Sequence, residues 1–226
     1  MSTSIPKSSF EFLSKLAKNN HRDWMQEHKK AYLASEKDLK SFYAEVEKDL
    51  NETDEISKLK VFRINRDIRF SKDKTPYNVH RSVSYSRAGE HRRGGYYLRL
   101  EPGKSMMAGG FFGPEPADLL RIRKEFEMDA TQINKILKQK DFKKAFGGFR
   151  RDFEVKTAPK GFSKEDPNIE LIRLKGFFVR HEYTDAEVYA PGFKDKLAAH
   201  YKLLRPYFDY MSEVLTTDLN GVSLIK

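Results

Sequence analysis

Apolar residues recur at helical spacing near both ends of the chain and alternate with polar ones in its middle. Phe10, Leu13, Leu16 and Ala17 fall on one face of a short N-terminal helix, and Ser8-Ser9-Phe10-Glu11 reads as a capping box that opens it. Asn19-Asn20 breaks that helix. Asn20 suits the N-cap of a second helix, with Asp23 in its first turn, where the helix dipole favours an acid. This second helix is predicted to run to about Leu50, because Leu39, Phe42, Tyr43, Val46 and Leu50 keep helical spacing. The polar run Asn51 to Ser57 is a loop.

The period then changes to two. Val61-Phe62-Arg63-Ile64 begins a strand, followed by strands over Arg81 to Ser86, Gly95 to Glu101 and Ser105 to Phe112. Pro102-Gly103 is a turn signal, so the last two are expected to pair as a hairpin. The Gly-rich stretch Arg87 to Gly95 is expected to be a mobile connection. Helical periodicity resumes after Pro114-Glu115-Pro116 with Leu119, Leu120, Ile122, Arg123 and Phe126. Asp129 can cap a helix carrying Ile133, Ile136 and Leu137, and Asp141 to Phe146 forms a third, closed by Gly147-Gly148. Phe149 to Thr157 and Gly176 to Tyr183 have strand character. A long stripe, Phe193, Leu197, Tyr201, Leu204, Phe208, Met211 and Leu215, ends the chain, with Pro206 placed to kink or split it. The layout is α+β: a central, mostly antiparallel sheet flanked by N-terminal, middle and C-terminal helices. No linker-like stretch separates periodic segments, so residues 1–226 are expected to form one domain.

Composition narrows the chemistry. Hydrophobic residues make up 38% of the 226 and aromatics 13%, so the core must lean on rings, each burying about 150–250 Å². The chain has no cysteine, which excludes disulfides, thiol nucleophiles and thiolate metal sites. Neither a secretory h-region nor a run approaching the roughly 20 apolar residues of a membrane span is visible, so a cytoplasmic location and no membrane partner are expected. The net charge is +10, and residues 58–104 hold 13 Lys/Arg against 4 Asp/Glu. Nearly all the excess therefore lies in one fifth of the chain, which points to an anionic partner or to a solvated basic surface.

The signal concentrates in Arg63 to Tyr77. Read as a strand, Phe62-Arg63-Ile64-Asn65-Arg66-Asp67-Ile68-Arg69-Phe70 turns Phe62, Ile64, Ile68 and Phe70 to one face, with Arg66 as the exception, and Arg63, Asn65, Asp67 and Arg69 to the other. Arginine presents a planar fork of donors suited to carboxylate or phosphate. Lys72 and Lys74 follow in a turn closed by Pro76-Tyr77. Arg63, Asn65, Arg66, Arg69, Lys72 and Lys74 are therefore candidate ligands for an oxyanion. Asp67, Asp73 and Tyr77 are candidate proton-transfer or hydrogen-bonding groups. The competing reading pairs Asp67 and Asp73 with neighbouring arginines as architecture.

Other constellations are weaker. Trp24 and His28 share a helix face, which makes His28 a candidate acid–base group or one satisfied histidine beside core packing. Lys160, Arg173 and Lys175 form a second set of cations, and Lys160 and Lys175 join the candidate anion ligands if the sheet brings them to the first. The six histidines show no metal-ligand spacing, no calcium loop occurs, and the GxxxxGK[ST], GxGxxG and GxSxG signatures are absent. No metal and no cofactor are expected. Tyr77, Tyr85, Tyr96 and Tyr97 lie within the basic block, where rings and cations together suit single-stranded nucleic acid, or simply a pleated core face.

The string RINRDIRFSKDKTPY, residues 63–77, resembles the signature of an uncharacterised family, domain of unknown function 2461. Asn19-Asn20-His21-Arg22-Asp23-Trp24 with His28-Lys29, Gly95-Tyr96-Tyr97 leading to Leu100-Glu101-Pro102-Gly103, Ala158-Pro159-Lys160-Gly161-Phe162 and Leu174-Lys175-Gly176-Phe177 resemble it too. The resemblance covers nearly the whole chain. It implies one compact domain and supplies no catalytic residue or cofactor. Three readings stand open: an anion site for a phosphorylated or carboxylated small molecule, with or without catalysis; a nucleic-acid-binding module; and an architectural domain with an internal salt-bridge network.

Overall fold

The computed structural model describes residues 4–225. Its helices are α1 (Lys7–Lys18), α2 (Arg22–Glu27), α3 (Lys29–Asn51), α4 (Pro116–Met128), α5 (Thr131–Lys138), α6 (Lys140–Phe146), α7 (Ile169–Ile172), α8 (Asp185–Tyr189), α9 (Phe193–Leu203) and α10 (Arg205–Thr216). Its strands are β1 (Ile56–Val61), β2 (Arg81–Arg87), β3 (Gly95–Leu100), β4 (Ser105–Phe111) and β5 (Phe177–Tyr183). The strands form one antiparallel sheet in the order β1-β2-β3-β4-β5, with helices before, within and after them, so the fold is α+β as the periodicity implies.

The chain groups into two compact units. The first gathers residues up to Tyr85, Tyr97–Met107 and Glu182–Ala199; the second gathers Ser86–Tyr96, Ala108–His181 and residues from His200 onward. In the first unit, Leu39, Phe42, Tyr43, Val46 and Leu50 form the buried stripe of α3. Phe42 stacks on Phe193 with ring centroids 5.9 Å apart, and the Tyr85 hydroxyl donates to the Tyr43 carbonyl at 3.1 Å. A separate cluster of Phe12, Leu13, Leu16, Trp24 and Met25 takes in Ile64 from the segment after β1, with Tyr32 and Tyr77 packed against it. Ile64 thereby pins the basic segment to the helices.

In the second unit, α4 and α5 pack on α10, and α6 on α5. Phe126 meets Phe177 edge-on at 5.6 Å, and the buried Tyr207 hydroxyl donates to the Phe177 carbonyl at 2.5 Å. Gly147, at φ +73°, closes α6 in the left-handed conformation that glycine adopts without a Cβ clash. Pro206 sits in the first turn of α10, where its missing N–H leaves no broken bond, and so separates α9 from α10.

Several local expectations need correction. Helix α1 begins one residue before the supposed capping box, with Pro6 at its N-cap and no side-chain cap. His21, rather than Asn20, caps α2, its ring accepting from Trp24 N at 3.3 Å. The helix expected to run unbroken to Leu50 is interrupted at His28. Phe149 to Thr157 forms only the single bridge Glu154 to Leu174 rather than a strand. The Arg87 to Gly95 connection, read as mobile, is bonded down within its unit. Arg93 N donates to Ser212 Oγ at 2.9 Å, Arg87 Nη1 donates to the Arg93 carbonyl at 3.0 Å, and Arg93 pairs with Asp118.

Candidate functional site

Strand β1 occupies Ile56–Val61, ahead of the strand expected to begin at Val61, and the segment read as that strand is an irregular excursion that returns at β2. Short backbone pairing holds its base: Phe62 N donates to Ser82 O at 2.9 Å, Asn78 N to Ile64 O at 2.7 Å and Arg66 N to Pro76 O at 2.9 Å. Asn65 and Tyr77 form an antiparallel bridge between them. Asn20 clamps the returning arm, its amide bonding both Tyr77 O at 2.9 Å and Tyr77 N at 3.1 Å. The alternation predicted for this stretch therefore survives near its base and fails beyond it. Ile64 is buried, whereas Phe70, expected on the same face, is 96% exposed.

Beyond Arg66 the charged side chains serve one another. Arg66 Nη1 binds Asp73 at 2.6 Å and the Thr75 carbonyl at 2.9 Å, and also meets the Thr75 hydroxyl. Asp73 in turn accepts from Thr75 N and Oγ1, both at 2.9 Å. These Thr75 bonds, with Arg66, hold the Asp73 carboxyl below its ordinary range. Lys74 Nζ donates to the Ile68 carbonyl at 3.0 Å. Arg69 grips Asp67 with two bonds, at 3.0 and 2.7 Å, and holds that carboxyl low as well.

A cleft of about 420 Å³ opens at the base of the excursion. Arg63, Asn65, Arg66 and Asp67 line it from the outgoing arm, Asn78, His80 and Ser82 from the returning one, and Phe62 and Tyr97 form an edge-to-face wall 6.1 Å apart. The neutral polar residues on the returning arm sit at every second position, the spacing that puts side chains on one face. The Asn78 amide spends one donor on the Arg63 carbonyl at 3.4 Å. Among the described residues, the side chains of Arg63, Asn65, His80 and Ser82 have no hydrogen-bond or ion-pair partner.

His80 is half-buried, and its pKa falls to about 4. Burial is the main cause, and the Arg99 cation adds to it. Its imidazole is thus uncharged at neutral pH, with one nitrogen donating and the other accepting. Charges from two ion pairs act on it. Arg81, 3% exposed at its side chain, pairs with Glu36 and donates to the Phe62 carbonyl at 2.9 Å, and Arg99 pairs with Glu101.

The remaining candidates are placed elsewhere. His28 ends α2, its ring stacked 4.0 Å over Trp24 and bonded to the Trp24 carbonyl at 2.9 Å. Tyr77 packs against the Trp24 cluster. Lys72 and Arg69 are exposed on the excursion and do not line the cleft. Lys160 and Lys175 are exposed residues of the second unit. Sequence reasoning passed over His80, Asn78 and Ser82. The signal that would have found them is their alternate spacing directly after the Arg63–Tyr77 string.

A larger cavity, of about 530 Å³, lies in the second unit against α4 and α10. It is lined by Glu125, Asp209, Glu213 and Asp218 against Arg121, and Arg121 is bonded to Glu125 at 2.7 Å, so it is ill suited to an anion. Among the described residues no group of three or more His, Cys, Asp or Glu could hold a metal ion, and no helix is long and apolar enough to cross a membrane. The family described as "Conserved hypothetical protein (DUF2461)" matches residues 8–210. No curated protein and no solved structure matches the chain.

Proposed function

The chain belongs to the DUF2461 family, and we propose that it binds a small phosphorylated or carboxylated molecule in the cleft of its first unit, with Arg63 holding the anionic end. One observation carries this reading. Arg66 and Arg69 are each closed by a carboxylate of the same excursion, whereas Arg63 lines the cleft with no hydrogen bond or ion pair at its guanidinium, its charge reaching Asp67 only through space. An unpaired guanidinium beside unpartnered amide, imidazole and hydroxyl groups is a set of convergent polar groups in a concave site, the usual composition of a ligand pocket. The two closed pairs take the architectural role, because they fix the excursion that presents Arg63. His80 and Asp67 are the titratable groups on the cleft lining besides the arginines and Tyr97.

The test is thermal unfolding of wild type, Arg63→Gln and Arg69→Gln against inorganic phosphate, phosphate esters and carboxylates. A ligand at 100-fold its dissociation constant stabilises by about 2.7 kcal/mol, or roughly 5–11 °C for a chain of this size. The expected result is a shift retained in Arg69→Gln and lost in Arg63→Gln. A shift that survives Arg63→Gln sinks the reading.

A second reading, single-stranded nucleic acid, draws on Phe70. Its ring is 96% exposed and lies 5.9 Å from the Arg69 guanidinium, so a base could stack on it. That reading requires affinity for oligonucleotides that falls steeply with salt and is lost in Phe70→Ala.

A further inference from the structure

The cleft's charge and hydrogen-bonding inventory goes further than anion binding. We propose that its ligand is a hydroxylated monocarboxylate of the sugar-acid type, its carboxylate on Arg63 and its hydroxyl groups on His80, Asn65 and Ser82. The proposal rests on the anion-site reading above and narrows it to one side of the choice between phosphate and carboxylate.

Charge decides the first half. The Arg66–Asp73 and Arg69–Asp67 pairs are each neutral, so Arg63 is the one lining cation left over. Asp67 itself lines the cleft and stays ionised beside Arg69. A phosphate monoester brings about −1.5 to −2 charges at neutral pH. Its second charge would meet no unpaired cation on the lining, because Arg66 is already tied to Asp73. A carboxylate brings one charge, and its two oxygens match the guanidinium fork with two parallel bonds.

Hydrogen-bond type decides the second half. An uncharged imidazole offers one donor and one acceptor, an amide offers both, and a serine hydroxyl offers both. Here all three are free on one cleft: neither His80, Asn65 nor Ser82 spends its side chain on another described residue. A bound group that is itself donor and acceptor satisfies such partners in either sense, and the alcohol hydroxyl is that group. A purely apolar acid would leave these polar groups desolvated and unpaired, which costs affinity. Phe62 and Tyr97 supply the apolar wall against which the carbon skeleton can lie. The volume of about 420 Å³ is near the low end for ligand pockets, so the ligand is small.

The experiment is calorimetric titration at pH 7 of wild type, Arg63→Gln, His80→Ala and Asn65→Ala with gluconate, glycerate, acetate and glucose 6-phosphate. Gluconate or glycerate is expected to bind about tenfold or more tighter than both acetate and glucose 6-phosphate. His80→Ala should erase the advantage over acetate while leaving acetate affinity in place; Asn65→Ala, at an exposed position, reads the same loss should His80→Ala fold poorly. Arg63→Gln should weaken every anion about tenfold or more. Tighter binding of glucose 6-phosphate than of both hydroxylated acids overturns the carboxylate assignment and leaves the anion site standing. Hydroxylated acids binding no better than acetate overturns the hydroxyl assignment. No anion bound by wild type, or no effect of Arg63→Gln, removes the anion site itself.

Discussion

Removing the guanidinium of Arg81 should destabilise the first unit far more than its single ion pair would suggest. The side chain is 3% exposed and that of Glu36 15%. Arg81 also donates to the Phe62 carbonyl at 2.9 Å, and the Tyr32 hydroxyl donates to the second oxygen of Glu36 at 2.6 Å. Burial together with that carboxylate pushes the Tyr32 pKa up to about 12, a sign that the phenol stays protonated as a donor. Arg81→Met therefore strands a mostly buried carboxylate and a backbone carbonyl at once. Breaking one side of a buried pair costs about 3–5 kcal/mol, because the remaining charge keeps its desolvation penalty. For a chain of this length that is roughly 6–20 °C of melting temperature. Glu36→Leu should cost a similar amount by stranding the arginine. The double variant should recover most of the loss, since an apolar pair of similar size removes both charges. The assay is a double-mutant cycle in denaturant unfolding with unchanged m-values. Single variants costing under about 1 kcal/mol would mean that the pair behaves as a solvated surface contact, and the argument from burial would fail.

Two further outcomes follow from other parts of the structure. His80 has a folded pKa of about 4, below the ordinary histidine value, so its contribution to stability is present above about pH 6.5 and lost as pH falls toward 4. The full shift would correspond to about 3 kcal/mol, and solvent screening at a half-exposed ring reduces this to about 1–2 kcal/mol. Wild type should therefore lose that much more stability than His80→Gln between pH 7 and pH 4, and parallel pH profiles would contradict a desolvated imidazole. Gly110→Ala should be severe in the second unit: φ is +140°, and a Cβ would lie 2.3 Å from the Phe177 carbonyl oxygen and 2.5 Å from Phe178 Cα. Backbone strain and overpacking together predict a loss of about 2–5 kcal/mol, read by thermal unfolding, and a loss below 1 kcal/mol would refute the close approach of β4 to β5.

The elements that sequence periodicity located are those whose backbone is satisfied by regular ladders. The β3–β4 hairpin announced itself through Pro102-Gly103, and the C-terminal helices through a stripe interrupted at Pro206. In both, the apolar spacing and the backbone hydrogen bonds report the same geometry. The segment after β1 breaks that link. Its alternation holds over Arg63-Ile64-Asn65, where Ile64 turns into the core and Arg63 and Asn65 turn to the cleft, while Phe62 joins the cleft wall instead of the core. Past Arg66, however, side chains take over the task of ordering the backbone: Arg66 caps the Thr75 carbonyl, Asp73 the Thr75 amide and Lys74 the Ile68 carbonyl. A pattern of apolar and polar letters cannot distinguish an arginine that faces a ligand from one that ties down its own loop, because both are polar at the same positions. The distinction depends on where two aspartates fall in space, two and seven residues from the arginines they close. It also hides the cleft's own polar face. Asn78, His80 and Ser82 carry no net charge at neutral pH, so a search guided by the charge excess passes over them. On the proposed reading these are the groups that would give an arginine at a loop base its selectivity, since a lone guanidinium attracts any anion and only its neutral neighbours can choose among them.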